Sequence, residues 1–251
     1  MTAVAILTGR MVRYTLRNDL PFAVLAPVGN FVVFDLALRN VISTGTVSYS
    51  QYLLPVIIVQ VTLLGALTTV DRAARDHDSE LGVRLRSMPI STVAPLAARM
   101  LYCLIRGAIA LAATIGVGYA FGFRLFSDPV YLSTFILLVL ALTLGLSLAA
   151  DAAGVWMSGS TMAREGGASQ VLLVPQLLLT MLSTGMAPVE SFPSWLHGFV
   201  RYQPVSQVTE TLRGLASGHV ELGNLMTTLG WCVGLLAVFG VTAVRLQRQP
   251  A

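Results

Sequence analysis

Lysine is absent from the chain: all 16 basic residues among its 251 are arginine. A Walker A phosphate-binding loop, a Schiff-base lysine and a Ser-Lys dyad all need that amine, so none of these chemistries can be housed here. Charge of either sign is also scarce, at 11% of residues, against roughly 25% in an ordinary soluble domain. So few charges cannot clothe a water-soluble surface. With 55% hydrophobic residues, the chain reads as an all-α polytopic membrane protein. Cysteine is limited to Cys103 and Cys232, both inside apolar runs, which argues against a disulfide framework or a thiolate metal site and leaves small-residue packing as their role. A net charge of +4 would point to nucleic acid in a soluble protein. Here the arginines must first be sorted by side of the membrane, and no nucleic-acid partner is expected. The N-terminus lacks the short apolar core and small-residue cleavage site of a signal peptide, so it is expected to be retained.

What is present is a series of apolar runs, at residues 21–38, 52–70, 94–121, 131–156, 170–187 and 224–244. Each is near the length that a helix rising about 1.5 Å per residue needs to cross roughly 30 Å of hydrocarbon. Asn30 and Asp35 interrupt the first run, and Pro175 and Gln176 the fifth. Six crossings would place both termini on one side. That side would carry Arg10, Arg13, Arg17, Arg72, Arg75, Arg84, Arg86, Arg164, Arg245 and Arg248; the other would carry only Arg39, Arg124, Arg201 and Arg213. The positive-inside rule then predicts cytoplasmic termini in a cell membrane, of the bacterial inner-membrane kind. No repeat or low-complexity tract divides the chain, so residues 1–251 read as one domain.

The polar residues fall into four groups. Arg10, Arg13 and Arg17 would share one face of a helix over 3–18, lying on the inner leaflet. Its arginines either fix topology alone or also touch a cytoplasmic partner. The loop 71–91 holds four acidic residues and four arginines, with Asp71–Arg75 and Glu80–Arg84 at helical pairing distance and with Gly82 and Pro89 ending or bending short helical pieces. It is either a plain solvated loop or, the better fit, a docking element between two spans. A metal beside His77 is opposed by the adjacent arginines. Within the spans, Arg99 and Arg106 lie seven residues apart, and Asp151 comes out at the depth of Arg99, so those two are predicted to pair. An internal staple fits this pair better than a proton relay, which would want several carboxylates in line. Asp35 could reach Arg39 one turn on. Finally, 187–221 interleaves Phe192, Trp195, Leu196 and Phe199 with Pro188, Pro193 and Pro204, which suits short interfacial helices or a re-entrant hairpin on the outer side. Catalytic spacings are missing: Ser158-Gly159-Ser160 does not make a nucleophile elbow, and His197 and His219 fall across the membrane from it.

Two blocks then stand out. One is SELGVRLRSMPIS, with an acid, a glycine, a basic-Leu pair, and a proline followed by a small hydroxylated residue, carried by Glu80, Gly82, Arg84, Leu85, Pro89 and Ser91. The other is GMAPVESFPSWLHGFVRYQPVSQVTETLRGL, carried by Gly185, Pro188, Phe192, Pro193, Trp195, Leu196, Pro204, Arg213 and Gly214. In this order, and on these sides of six spans, the chain resembles the permease subunit of a type-two ATP-binding-cassette exporter, in the daunorubicin-resistance-like branch of drug and lipid exporters. The resemblance covers nearly the whole chain. It implies an N-terminal connecting helix, six membrane helices, a coupling loop between the second and third, and re-entrant outer helices between the fifth and sixth. It also implies a second permease copy or paralogue, and a separate ATPase subunit that carries the ATP and Mg. A chain without lysine cannot supply the phosphate-binding residue itself, and this chain is expected to hold no cofactor and no metal.

The function expected is export of a hydrophobic or amphipathic compound, with drugs and antibiotics ahead of lipids or glycolipids, along a pathway lined by apolar groups such as Phe31, Phe34 and the methionines. Two alternatives come from other classes. One is an ion- or proton-coupled carrier using Asp35, Asp151 and Arg106; the other is a membrane assembly subunit that moves nothing.

Overall fold

The computed structural model describes residues 21–36 apart from 22, 49–78, 93–125, 128–161, 167–186 and 188–248. These residues form helices and turns, with no strand among them. In chain order the helices are α1 (Ala23–Leu36), α2 (Tyr49–Asp78), α3 (Ala94–Ala120), α4 (Pro129–Met157), α5 (Ala168–Met181), α6 (His197–Tyr202), α7 (Pro204–Ser217) and α8 (Leu222–Arg248). Two single 3-10 turns, Val189–Ser191 and Ser194–Leu196, precede α6.

Four helices, α2, α3, α4 and α8, are long and apolar enough to cross a membrane. Their starts follow local chemistry. Asp128 caps α4 by accepting the Val130 amide at 2.8 Å, and Pro129 occupies the first turn, where a missing N–H is harmless. Prolines open α3 and α7 in the same way. Pro55 lies inside α2 and Pro175 inside α5, as membrane helices tolerate when other groups satisfy the freed carbonyls. The first and fifth apolar runs form the shorter helices α1 and α5. The 14 residues of α5 rise only about 21 Å.

The helix α2 is the axis of the bundle. Of its most apolar window 67% is buried, against 11% for α8, so α2 is enclosed by protein while α8 turns most of its surface outward. Leu54, Val56 and Ile57 of α2 pack with Phe135 and Leu142 of α4 and with Leu212 of α7. Outward-facing Leu137, Val174, Leu178, Val233 and Val238 supply the hydrocarbon-facing surface. Because lipid tails are as apolar as leucine, burial alone gives little drive for helices to associate, and close van der Waals contact must do it. Gly154 shows the consequence: a Cβ there would collide with the Val70 carbonyl oxygen and the Ala73 methyl, so α4 lies directly on the α2 backbone. One stretch departs from the sequence-based boundaries. Residues 71–78, expected to open a loop, are the last two turns of α2.

Candidate functional site

Three polar constellations lie along the bundle. At one end, α3 carries Arg99 inward, where its Nε lies 2.8 Å from Oδ1 of the fully buried Asp151 on α4. The approach is charge to charge rather than an aligned hydrogen bond. An Arg99 terminal nitrogen also lies 3.7 Å from Oδ2 of Asp76, in the last turn of α2, which is half-exposed. Three helices therefore meet on one guanidinium. Beside it, Arg72 stacks over the Tyr102 ring, with 5.0 Å to the centroid. Asp71 does not spend its carboxylate on Arg75. It accepts the Ser169 amide at 2.8 Å and the Ser169 hydroxyl at 2.7 Å, capping the start of α5 from outside that helix. Among the described residues Arg75 reaches the Asp71 backbone carbonyl, at 3.1 Å. A fixed helix-start amide and hydroxyl compete well with a mobile, exposed arginine, since an open helix N-terminus favours a carboxylate.

The middle of the bundle holds a cavity of about 290 Å³ between α1, α2, α3, α4 and α5. Its wall is made of small aliphatic and hydroxyl-bearing residues. Phe31, expected on a transport pathway, sits instead in the core, edge-on to Phe121 at 5.6 Å, and Phe34 packs against that same core. Among the described residues no methionine lines the cavity. Arg106 lines it from α3 and donates to Thr68 Oγ1 at 2.9 Å and to the Gly65 carbonyl at 3.3 Å.

At the far end, Arg213 of α7 is a staple. Its Nε donates to the Tyr52 carbonyl at 3.1 Å, one terminal nitrogen to the Thr184 carbonyl at 3.1 Å and to Glu210 at 3.0 Å, and the other to the Gly185 carbonyl at 3.1 Å. The guanidinium also lies 3.6 Å over the Tyr52 ring, whose hydroxyl donates to the Thr184 carbonyl at 3.1 Å. Five donors in a rigid fork let arginine collect several carbonyls at once, which lysine could not do. Ser206 accepts the Thr184 amide at 3.0 Å, and the Gln203 amide donates to the Leu182 carbonyl. Gly185 leaves no room for a Cβ, which would run into Val56. The start of α2, the turn after α5 and helix α7 are thus one hydrogen-bonded block.

The structure brings Arg99 and Asp151 together and adds Asp76 to them. Asp35 is buried and accepts from Ser50 Oγ at 3.1 Å; its suggested partner Arg39 lies outside the described residues. The same holds for the 3–18 helix and for Glu80, Gly82, Arg84, Leu85, Pro89 and Ser91. Pro188, Pro193 and Pro204 each precede or open one of the short helical pieces of the far end. Trp195, in the second 3-10 turn, stands exposed. Sequence reasoning missed the roles of Asp76 and Asp71, the carbonyl-collecting role of Arg213 and the cavity. The signal available for the first two was their three- and four-residue spacing from the apolar face of the preceding span.

The chain matches the family model described as "ABC-2 family transporter protein" over residues 29–245. The doxorubicin resistance ABC transporter permease protein DrrB of Mycobacterium tuberculosis is 32% identical over 235 residues, covering 89% of this chain and 79% of that protein. The probable doxorubicin resistance ABC transporter permease protein DrrC of the same species is 28% identical over 221 residues, covering 87% and 78%. The daunorubicin resistance ABC transporter permease protein DrrB1 of Streptomyces coeruleorubidus is 28% identical over 228 residues, covering 90% and 78%.

Proposed function

The chain belongs to the ABC-2 family of transporter proteins, matched from within α1 to near the end of α8, and from that premise we propose that it is the membrane subunit of an exporter for a hydrophobic or amphipathic compound. The observation that carries this reading is the family match across the whole helical bundle, together with relatives named as permeases of drug-resistance transporters. Drugs and antibiotics are the preferred cargo, ahead of lipids or glycolipids. On this reading α1 and α5 are crossings as well, giving six, with both termini in the cytoplasm of a bacterial inner membrane. Helices α6 and α7 with the turns before them form the outer re-entrant cap.

Energy comes from a separate ATPase subunit that holds ATP and Mg, because a chain without lysine lacks the residue that reaches the phosphates. Two permease chains, identical or paralogous, pair above two such subunits. The segment from Asp71 to Ser91, with Glu80, Gly82, Arg84, Leu85 and Pro89, receives the push of ATP-driven closure. The mechanical path follows from α2, an unbroken helix of 30 residues and about 45 Å. Its last turn joins Arg99 through Asp76, and its first turn joins Arg213 through Tyr52. Displacement at one end is therefore delivered to the cap at the other as a rigid-body shift between inward-open and outward-open states. A proton-coupled carrier is the weaker reading, since Asp151 is engaged by Arg99 instead of facing a proton path.

The test is ATP hydrolysis by the chain reconstituted with the ATPase from its neighbouring reading frame. Hydrolysis should respond to the permease, and Glu80→Ala or Arg84→Ala should weaken that response. Unaltered coupling and assembly in both variants would remove the docking role from this loop.

A further inference from the structure

Arg106 is a cation deep within a membrane-crossing helix. It lies twelve residues into the 27 of α3, about 18 Å from the helix start and close to mid-membrane. Charge at that depth is costly and normally meets a counter-ion. Arg99, two turns earlier, has two carboxylates. Arg106 has none within ion-pair distance among the described residues, and its hydrogen-bond partners, Thr68 and the Gly65 carbonyl, are neutral. Its Nε is buried and donates to no partner among the described residues.

The same guanidinium lines the central cavity, where most of the threonines are already engaged. Thr62, Thr114 and Thr143 donate to carbonyls of their own helices at 2.7–2.8 Å. Both oxygens of Asp71 are taken by Ser169. What is left is a largely apolar chamber with one cation, Arg106, that has no carboxylate at ion-pair distance among the described residues, and one carboxylate, Asp71, whose oxygens both accept from Ser169. Its volume of about 290 Å³ is at the lower end of small-molecule sites, the size for one aliphatic tail rather than a two-chain lipid.

We propose that this chamber binds a single-tailed amphiphile with an anionic oxygen head, a carboxylate or phosphate, whose head pairs with Arg106 while the tail fills the space between α1, α2 and α4. The inference deepens the export reading and rests on it for the purpose of the site. In a medium of low dielectric, a charge of the same sign as Arg106 is repelled and one of opposite sign is held, so the head group decides affinity and the tail alone cannot.

The experiment uses the full-length chain in nanodiscs of zwitterionic phosphatidylcholine, without ATP. Binding of a fluorescent long-chain carboxylate is compared with that of the amine of equal chain length. The carboxylate should bind about ten-fold or more tightly than the amine, as a charge interaction of moderate strength requires. Arg106→Gln should bring the ratio down to within about two-fold, Arg106→Lys should keep most of it, and Ala26→Phe, which intrudes from α1, should weaken both probes together. Circular dichroism and monodispersity establish that each variant is folded. Displacement of the carboxylate by phosphatidylglycerol in the disc would assign the anion to membrane lipid, and absence of displacement to a free amphiphile; either result requires the Arg106-dependent preference. Equal affinities in the unaltered chain, or an unchanged ratio in folded Arg106→Gln, would overturn the proposal. These outcomes are independent of the ATPase: failure of hydrolysis coupling would defeat the export reading and leave the binding ratio intact.

Discussion

Three arginines at different depths do three different jobs, and their surroundings decide which. Arg99 is neutralised by the buried Asp151 and touched by the half-exposed Asp76. Removing one partner of a buried pair leaves the other charge stranded, at a cost of roughly 3–5 kcal/mol, whereas an exposed partner contributes about 0–1 kcal/mol. Asp151→Ala should therefore lower the thermal midpoint in detergent sharply, and Asp76→Ala only slightly. The double change Arg99→Met with Asp151→Leu should recover most of the loss, because an apolar pair of similar volume needs no counter-ion. The Arg99–Asp151 juxtaposition was legible from counting depth along two apolar runs. Asp76 was not, because charges beyond an apolar run read as loop, and nothing in hydropathy says that the helix goes on for two more turns. Arg106 was visible as an intramembrane charge, yet its lack of a carboxylate partner emerged only once the neighbours on α2 were placed.

Among the elements, α2 and the cap at its far end matter most. Gly154 lets α4 rest on the α2 backbone, so Gly154→Leu should prise the two apart and destabilise the bundle by about 1–3 kcal/mol, seen as a lower thermal midpoint. Asp71 caps α5 from another helix, and its replacement by Ala should cost about 0.5–2 kcal/mol and speed amide exchange at the start of α5, near residues 168–172. Arg213→Lys keeps the charge but loses the fork that gathers the Tyr52, Thr184 and Gly185 carbonyls. Faster exchange confined to residues 182–217, with the Arg99 end unchanged, is the expected pattern. A uniform change along the chain would mean that the far end does not open as a unit. The proline- and aromatic-rich composition of 187–221 announced broken helical pieces, and 3-10 turns with two short helices are what the chain forms there. That Arg213 would bind carbonyls from three segments could not be read from spacing, since those contacts join residues up to 161 apart in sequence.

For the molecule as a whole, composition and hydropathy were enough to give an all-helical membrane protein, and the four longest apolar runs correspond to α2, α3, α4 and α8. The two interrupted runs correspond to the shorter helices α1 and α5, which carry Asn30 and Asp35, and Pro175 and Gln176, within them. The cavity left no trace in the sequence, because it is made by what five helices fail to fill between them, and its threonines and alanines are ordinary membrane-helix residues. The missing lysine, by contrast, acts at this largest scale, since these residues cannot supply a Walker A amine and the proposed pump takes it from an ATPase partner. The central claim is therefore that this chain moves its cargo only as the membrane half of a two-protein pump. The most direct measurement is uptake of doxorubicin and of a fluorescent long-chain carboxylate into proteoliposomes holding the chain alone, or the chain with its ATPase. ATP-dependent movement of at least one probe only when both proteins are present, abolished by mutating the ATPase phosphate-binding lysine, is the predicted result; movement by the chain alone, driven by a pH gradient and indifferent to ATP, would contradict it.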